Sequence, residues 1–215
     1  MSPSAARNMT PITEAIVELM PREGMIVEIA SGTGEHVVSF AAALPNARWA
    51  PGDPDPASRR SIAAWTAHLK RQNIAPPHSI DVSGQAWRSG EQQGAAALDA
   101  ELLDAELLSA ELQGVICINM IHIAPFDATK GLIEGAGKRL AAGGRLFLYG
   151  PFARDGLHTA ASNADFDASL KARNPAWGVR DLDRDIAPLA DAAGLSLVEA
   201  RAMPANNFSV VFEKA

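Results

Sequence analysis

Cysteine is almost absent from this chain. Cys117 is the only one in 215 residues, which excludes an internal disulfide and a thiolate metal cluster and makes a reducing cytoplasm the expected setting. It lies in the apolar run VICINMI, where a thiol is expected to be buried and inert. No metal site is expected. No apolar run approaches the ~20 residues of a membrane span, and the first residues lack the basic-then-apolar order of a secretory leader, so no membrane role is expected. Positive charge is also short. Lys and Arg number 19 against 25 Asp and Glu, a net charge of −6, which argues against a large nucleic-acid footprint. The remainder, 47% hydrophobic and 20% charged, is the composition of an ordinary globular protein with enough chain for one domain, residues 1–215.

The most informative stretch is Met25 to Gly34, MIVEIASGTG. A short apolar run reads as a strand buried on both faces of a parallel sheet. It stops at Ser31-Gly32-Thr33-Gly34, and Val37, Val38, Phe40, Ala41 and Leu44 follow at helical spacing. Strand, glycine turn and helix open a βαβ nucleotide-binding unit, with glycine where a side chain would hold the backbone off a ligand. Two details separate the loop from a dinucleotide fingerprint. Val37 stands where the third glycine or alanine would be, and an acid, Glu28, lies inside the strand. A carboxylate there adds negative potential beneath a cation, which suits the sulfonium of S-adenosylmethionine. NAD binding and a glycine turn with no ligand are the competing readings.

The chain in order supplies further candidates. Thr10-Pro11 reads as a cap and first turn of a helix with Ile12, Ala15, Ile16 and Leu19 on one face. It belongs to an N-terminal helical arm, residues 1–24, with Arg7 and Asn8 just before the helix. The second strand, Ala47–Pro51, runs into Gly52-Asp53-Pro54-Asp55. An acid at that strand end grips ribose hydroxyls in doubly wound folds. Asp53 is the first choice and Asp55 the second, while either could instead cap the helix Ala57–Lys70. A weak third strand ends at Ile80-Asp81-Val82, where Asp81 suits the adenine amine. Trp87 either covers the adenine or anchors a loop. Residues 98–112 hold a tandem five-residue pattern, LDAEL, LDAEL, LSAEL, read as an expanded helical connector. The fourth strand, Gly114–Ile118, leads to Asn119 and His122, on the edge where open α/β sheets bind ligands. A helix closing at Gly143-Gly144 precedes the fifth strand, Arg145–Gly150, with Tyr149 at its end. Residues 153–183 are a long polar insertion with the character of a lid, carrying His158, Asn163, Arg173 and Trp177. A last helix and two closing strands, Ser196–Met203 and Phe208–Phe212, end the chain.

Four segments, EIASGTGEH, DPDPASRRSIAAW, INMIHIAPF and LYGPF…GLHTAASNADFDASLKARNPAWGVRD, resemble in order the family labelled domain of unknown function 938, of the methyltransferase-like protein 26 type. Across nearly its whole length the chain resembles a class I S-adenosylmethionine-dependent methyltransferase. The resemblance implies a Rossmann-like α/β fold, a seven-stranded, mostly parallel sheet in the order 3-2-1-4-5-7-6 with helices on both faces. It also implies S-adenosylmethionine as cofactor, with contacts at Glu28, Ala30, Gly32, Gly34, Asp53, Asp81 and Asn119. The expanded repeat and Gly52, where a serine is expected, depart from the family pattern. His122, Tyr149 and His158 are then the candidates to orient or deprotonate an O, N or S acceptor. Arg7, Asn8, Asn163, Arg173 and Trp177 are the candidates to hold it. The acidic chain and compact insertion favour a small-molecule acceptor over nucleic acid. An NAD-dependent oxidoreductase and a non-catalytic methyltransferase-fold binding protein stay open as alternatives.

Overall fold

The computed structural model describes residues 3–89 and 111–215, with side chains from Asn8 onward. The five-residue repeats fall almost wholly outside the described residues. Helix α1 (Pro3–Leu19) precedes β1 (Gly24–Ile29), α2 (Glu35–Ala43), β2 (Ala47–Gly52), α3 (Pro56–His68) and a short α4 (Gln85–Ser89). Then come β3 (Leu112–Ile118), α5 (Phe126–Arg139) and β4 (Leu140–Gly150). A hairpin of β5 (Ala153–Arg154) and β6 (Leu157–His158) leads to α6 (Ala161–Arg173). A π turn (Leu182–Ile186), α7 (Ala187–Ala192), β7 (Leu195–Met203) and β8 (Asn207–Lys214) complete the chain.

The main sheet runs β2-β1-β3-β4-β8-β7. Its first four strands are parallel, and β8 lies antiparallel to both β4 and β7. This is the expected order without its first strand. The anticipated third strand is reduced to two bridges, Trp49 with Ile74 and Gly52 with His78. Pro76 and Pro77 stand between them and supply no N–H to a ladder. Among the described residues the main sheet is therefore six-stranded.

Side chains alternate across the sheet, and both faces are covered. On one side Ile26, Trp49, Ile116, Phe147 and Val211 pack with Ile12 and Ile16 of α1, Phe40 of α2 and Ile62 of α3. On the other, Val27, Val115, Leu146, Leu148 and Val210 meet Trp87 of α4, Leu132 and Ile133 of α5, and Ala190 of α7. The N-terminal arm is thus part of the core. Helix α1 starts well before Thr10-Pro11 and carries Pro11 inside it, so Arg7 and Asn8 are helical residues. No described helix is long and apolar enough to cross a membrane.

Two further expectations change. Gly143-Gly144 does not cap α5, which ends at Arg139; the strand β4 runs through both glycines, and Leu140 already pairs with Leu112. Trp87 is the loop anchor: it is fully buried, its Nε1 donates to Leu132 O at 3.4 Å, and the Arg139 guanidinium lies 5.1 Å from its ring centre. Helix α5 admits this packing through glycine. A Cβ at Gly131 would lie 1.9 Å from Val82 O, and one at Gly135 would lie 2.1 Å from Trp87 Nε1. Overpacking at a rigid backbone contact costs about 1–3 kcal/mol. Gly131→Ala should lose that much stability in urea unfolding, whereas Gly143→Ala, which meets no atom within 4 Å but sits at φ +76°, should lose only about 1 kcal/mol.

Candidate functional site

The carboxyl ends of β1 and β2 are joined by one serine. Ser31 N donates to Gly52 O at 3.0 Å, its Oγ accepts from Gly52 N at 3.2 Å, and the same Oγ donates to Glu28 O at 3.1 Å. Around this tie the backbone takes left-handed angles at Ala30 (φ +55°), Gly32 (φ +55°) and Gly34 (φ +87°). The two glycines serve different needs. A Cβ on Gly34 would sit 2.9 Å from Ile62 Cα, so its bareness lets the loop press on α3. Beside Gly32 there is nothing within 4 Å, and that is the open face. Helix α2 begins here with no side-chain cap, leaving its first N–H groups toward the loop.

Glu28 lies beneath this face, 2% exposed, with Oε2 lacking any hydrogen-bond partner. Burial pushes its carboxyl up to about 8, reinforced by the charge of Asp53. Asp53 is also buried. Its Oδ2 accepts from Gly32 N and its Oδ1 from Asp55 N, both at 2.9 Å. Asp55 serves the helix instead. It is the exposed N-cap of α3, accepting from Ala57 N and Ser58 N at 3.1 Å, and those two bonds hold its carboxyl below the usual range. Asp81 is exposed and caps a turn, taking Ser83 N and Ser83 Oγ on Oδ1 at 2.9 and 2.6 Å. These residues fit an adenosyl sulfonium: an unpaired buried carboxylate oxygen, an open glycine backbone and a carboxylate at the second strand end lie together.

The neighbouring ends of β3 and β4 form the second half. Asn119 is left-handed at φ +61°, and its N–H donates to Tyr149 O at 2.8 Å. Tyr149 is buried, which raises its hydroxyl, while hydrogen bonds with Asn207 and Asn8 oppose the rise. Asn8 thus ties α1 to the sheet. His122 is 1% exposed and packs edge-on against Phe152 at 5.0 Å. Its Nδ1 accepts from Arg180 N at 3.2 Å, so the ring proton sits on Nε2, which has no partner. Burial, helped by the Arg180 charge, holds this histidine down at about 3.

The insertion is ordered and clasped to that edge. Gly178 N donates to His122 O, and Arg180 reaches Ile121 O at 2.9 Å and Ala124 O at 2.8 Å while lying over Phe126. Asp181 caps the π turn and accepts from Gly156 N, while Arg154 grips Asp183 with two bonds. Asn163 is buried and donates to Thr159 Oγ1 and Asn206 O, a structural tie between α6 and the turn before β8. His158 stands 3.5 Å from Asp167, which also takes Lys171 Nζ and Val179 N. Arg173 lies over Trp177 at 5.8 Å. These last contacts stay within the insertion. The Arg7 side chain lies outside the described residues.

Sequence reasoning passed over Ser31, His36 and Arg59. His36 is mostly buried and stacked on Phe40, with burial holding it down at about 4. Nothing in a one-dimensional pattern marks a serine that bonds across two strands. The Glu28 carboxyl gives a pH signature. A folded-state value above the ordinary 4.5 means that the folded state holds a proton the unfolded chain has released, so this group's contribution falls as pH rises from about 4.5 to about 8. Thermal unfolding of wild type and Glu28→Gln, compared across that window, should therefore show the variant gaining on wild type as pH rises. A constant difference would put Glu28 in contact with water.

A family model described as "Protein of unknown function (DUF938)" matches residues 1–214. Among solved structures, an O-methyltransferase family protein from Burkholderia thailandensis superposes with a TM-score of 0.76 at 16% identity, covering 98% of this chain and 57% of its own. Human N-acetylserotonin methyltransferase, solved in complex with SAM, gives 0.73 at 11% identity, with 99% and 53% covered. The mitomycin 7-O-methyltransferase gives 0.73 at 13%, with 98% and 55% covered. The chain spans a little over half the length of these proteins, and at such identities the likeness is one of fold. Matched over nearly every residue, this chain belongs to the DUF938 family of proteins of unknown function, and its fold is that of the class I methyltransferases.

Proposed function

We propose that this chain is an S-adenosylmethionine-dependent methyltransferase acting on a small-molecule acceptor in the cytoplasm. The observation that carries the reading is the buried, unpaired Glu28 Oε2 on the strand that runs into the open backbone of Gly32. A buried carboxyl without a partner is costly, and a cationic ligand above it removes that cost. When bound, S-adenosylmethionine supplies an electrophilic methyl group on a sulfonium. The chain's own residues divide the remaining work. Ala30, Gly32, Gly34 and the uncapped start of α2 receive the ligand's polar groups. Asp53, oriented by Gly32 N and Asp55 N, keeps lone pairs for ribose hydroxyls, and Asp81 and Asn119 border the adenosine side.

For methyl transfer the protein needs to hold acceptor and methyl in line and keep water out. His122 suits orientation and not proton removal, because Nδ1 is already an acceptor and the ring is buried. Tyr149, with its raised hydroxyl, suits a hydrogen bond to the acceptor. His158, partly exposed beside Asp167, is the better candidate for a base. Arg173 and Trp177 offer a cation and a ring to a polar or anionic acceptor, and Asn8 lines the same side from α1.

Isothermal titration with S-adenosylhomocysteine and with NAD tests the reading: the former should bind and the latter should not. Tight NAD binding with no response to S-adenosylhomocysteine would end it. Asp53→Ala should weaken the affinity by about 1.5–3 kcal/mol, the worth of hydrogen bonds to a charged group. Asp55→Ala should lower the unfolding temperature as a lost cap and leave binding nearly intact. Incubation with labelled donor and a metabolite extract would then identify the acceptor by the mass of its product.

A further inference from the structure

The adenosine side of the cleft is built where the sheet lacks its expected edge strand. The backbone ties between β2 and the following segment end with His78 N to Pro51 O at 2.9 Å and Asp53 N to His78 O at 3.0 Å. Past that point the tie passes to a side chain. Arg59, in the first turn of α3, sends Nη1 to Asp53 O and Pro54 O, both at 2.9 Å, and to Ser79 Oγ at 3.3 Å. Ser79 lies two residues before Asp81, and Ile80 between them packs directly on Gly52. One guanidinium therefore joins the turn that carries Asp53 to the segment that carries Asp81.

We propose that Arg59 is a positioning residue that sets the span of the adenosine cleft, replacing with one side chain the rigidity of the missing strand ladder. The proposal rests on the donor-binding reading given above. A planar cation on two adjacent carbonyls fixes the turn at Asp53-Pro54 in one geometry. That turn fixes where the Asp53 carboxylate meets the ribose. The bond to Ser79 fixes how far away the opposite wall stands. Arg59 need not touch the ligand to do this.

The test is titration of S-adenosylhomocysteine and of adenosine into wild type, Arg59→Met, Arg59→Lys, Ser79→Ala and Arg60→Met. Hydrogen exchange of residues 78–82 in the ligand-free proteins accompanies it. Arg59→Met should weaken both ligands by the same factor, about tenfold, and speed exchange at residues 78–82. Ser79→Ala should give the same pattern at about threefold, Arg59→Lys should recover part of the loss, and Arg60→Met should match wild type. A role confined to α3 stability would lower the unfolding temperature and leave both affinities unchanged, and that result overturns the proposal. So does a loss for S-adenosylhomocysteine that adenosine does not share. If Arg59→Met does not fold, Ser79→Ala decides alone, and unchanged affinity and exchange in it refute the idea. Wild type binding neither ligand would bring down the donor reading and this proposal together, whereas normal wild-type binding with an indifferent Arg59→Met removes only the proposal.

Discussion

The site depends on one hydroxyl group. Ser31 Oγ receives Gly52 N–H and gives its own proton to Glu28 O, which welds the ends of two parallel strands where their regular pairing stops. Asp53 on Gly32 N and Ser61 on Thr33 O hold the loop beside that weld.

A second constraint is electrostatic. Glu28 and Asp53 are both buried and near enough for one charge to disfavour the other. Asp53 is compensated by two backbone N–H groups and Glu28 is not. One acid is oriented by backbone donors, and burial holds the other's carboxyl above the usual range. Environment alone makes this difference, since the residue types are nearly alike.

Much of the fold could be read in advance because its determinants are local. The run MIVEIA and the glycines after it specify a buried strand and a turn, and five of the six strand neighbourings that the family resemblance implies are present. What could not be read was set by interruption or by tertiary contact. Pro76-Pro77 was visible, yet its effect, a strand reduced to two bridges, depends on which partner needed the missing N–H groups. Gly143-Gly144 looks like a helix stop in isolation, and the pairing of Leu140 with Leu112 draws both glycines into a strand. At the site, the spacing of Asp53 and Asp55 left their roles ambiguous. Geometry separates them, since Asp55 is spent on α3 and Asp53 faces the loop. Asn163, on α6, spends its amide on Thr159 and Asn206, bonds that a one-dimensional pattern does not reveal.

The clasp of Gly178 and Arg180 on His122 changes what residues 153–183 are to the molecule. That segment is anchored by backbone bonds, a stacked guanidinium and a doubly held aspartate. On the function proposed above, an acceptor meets walls whose shape these bonds set.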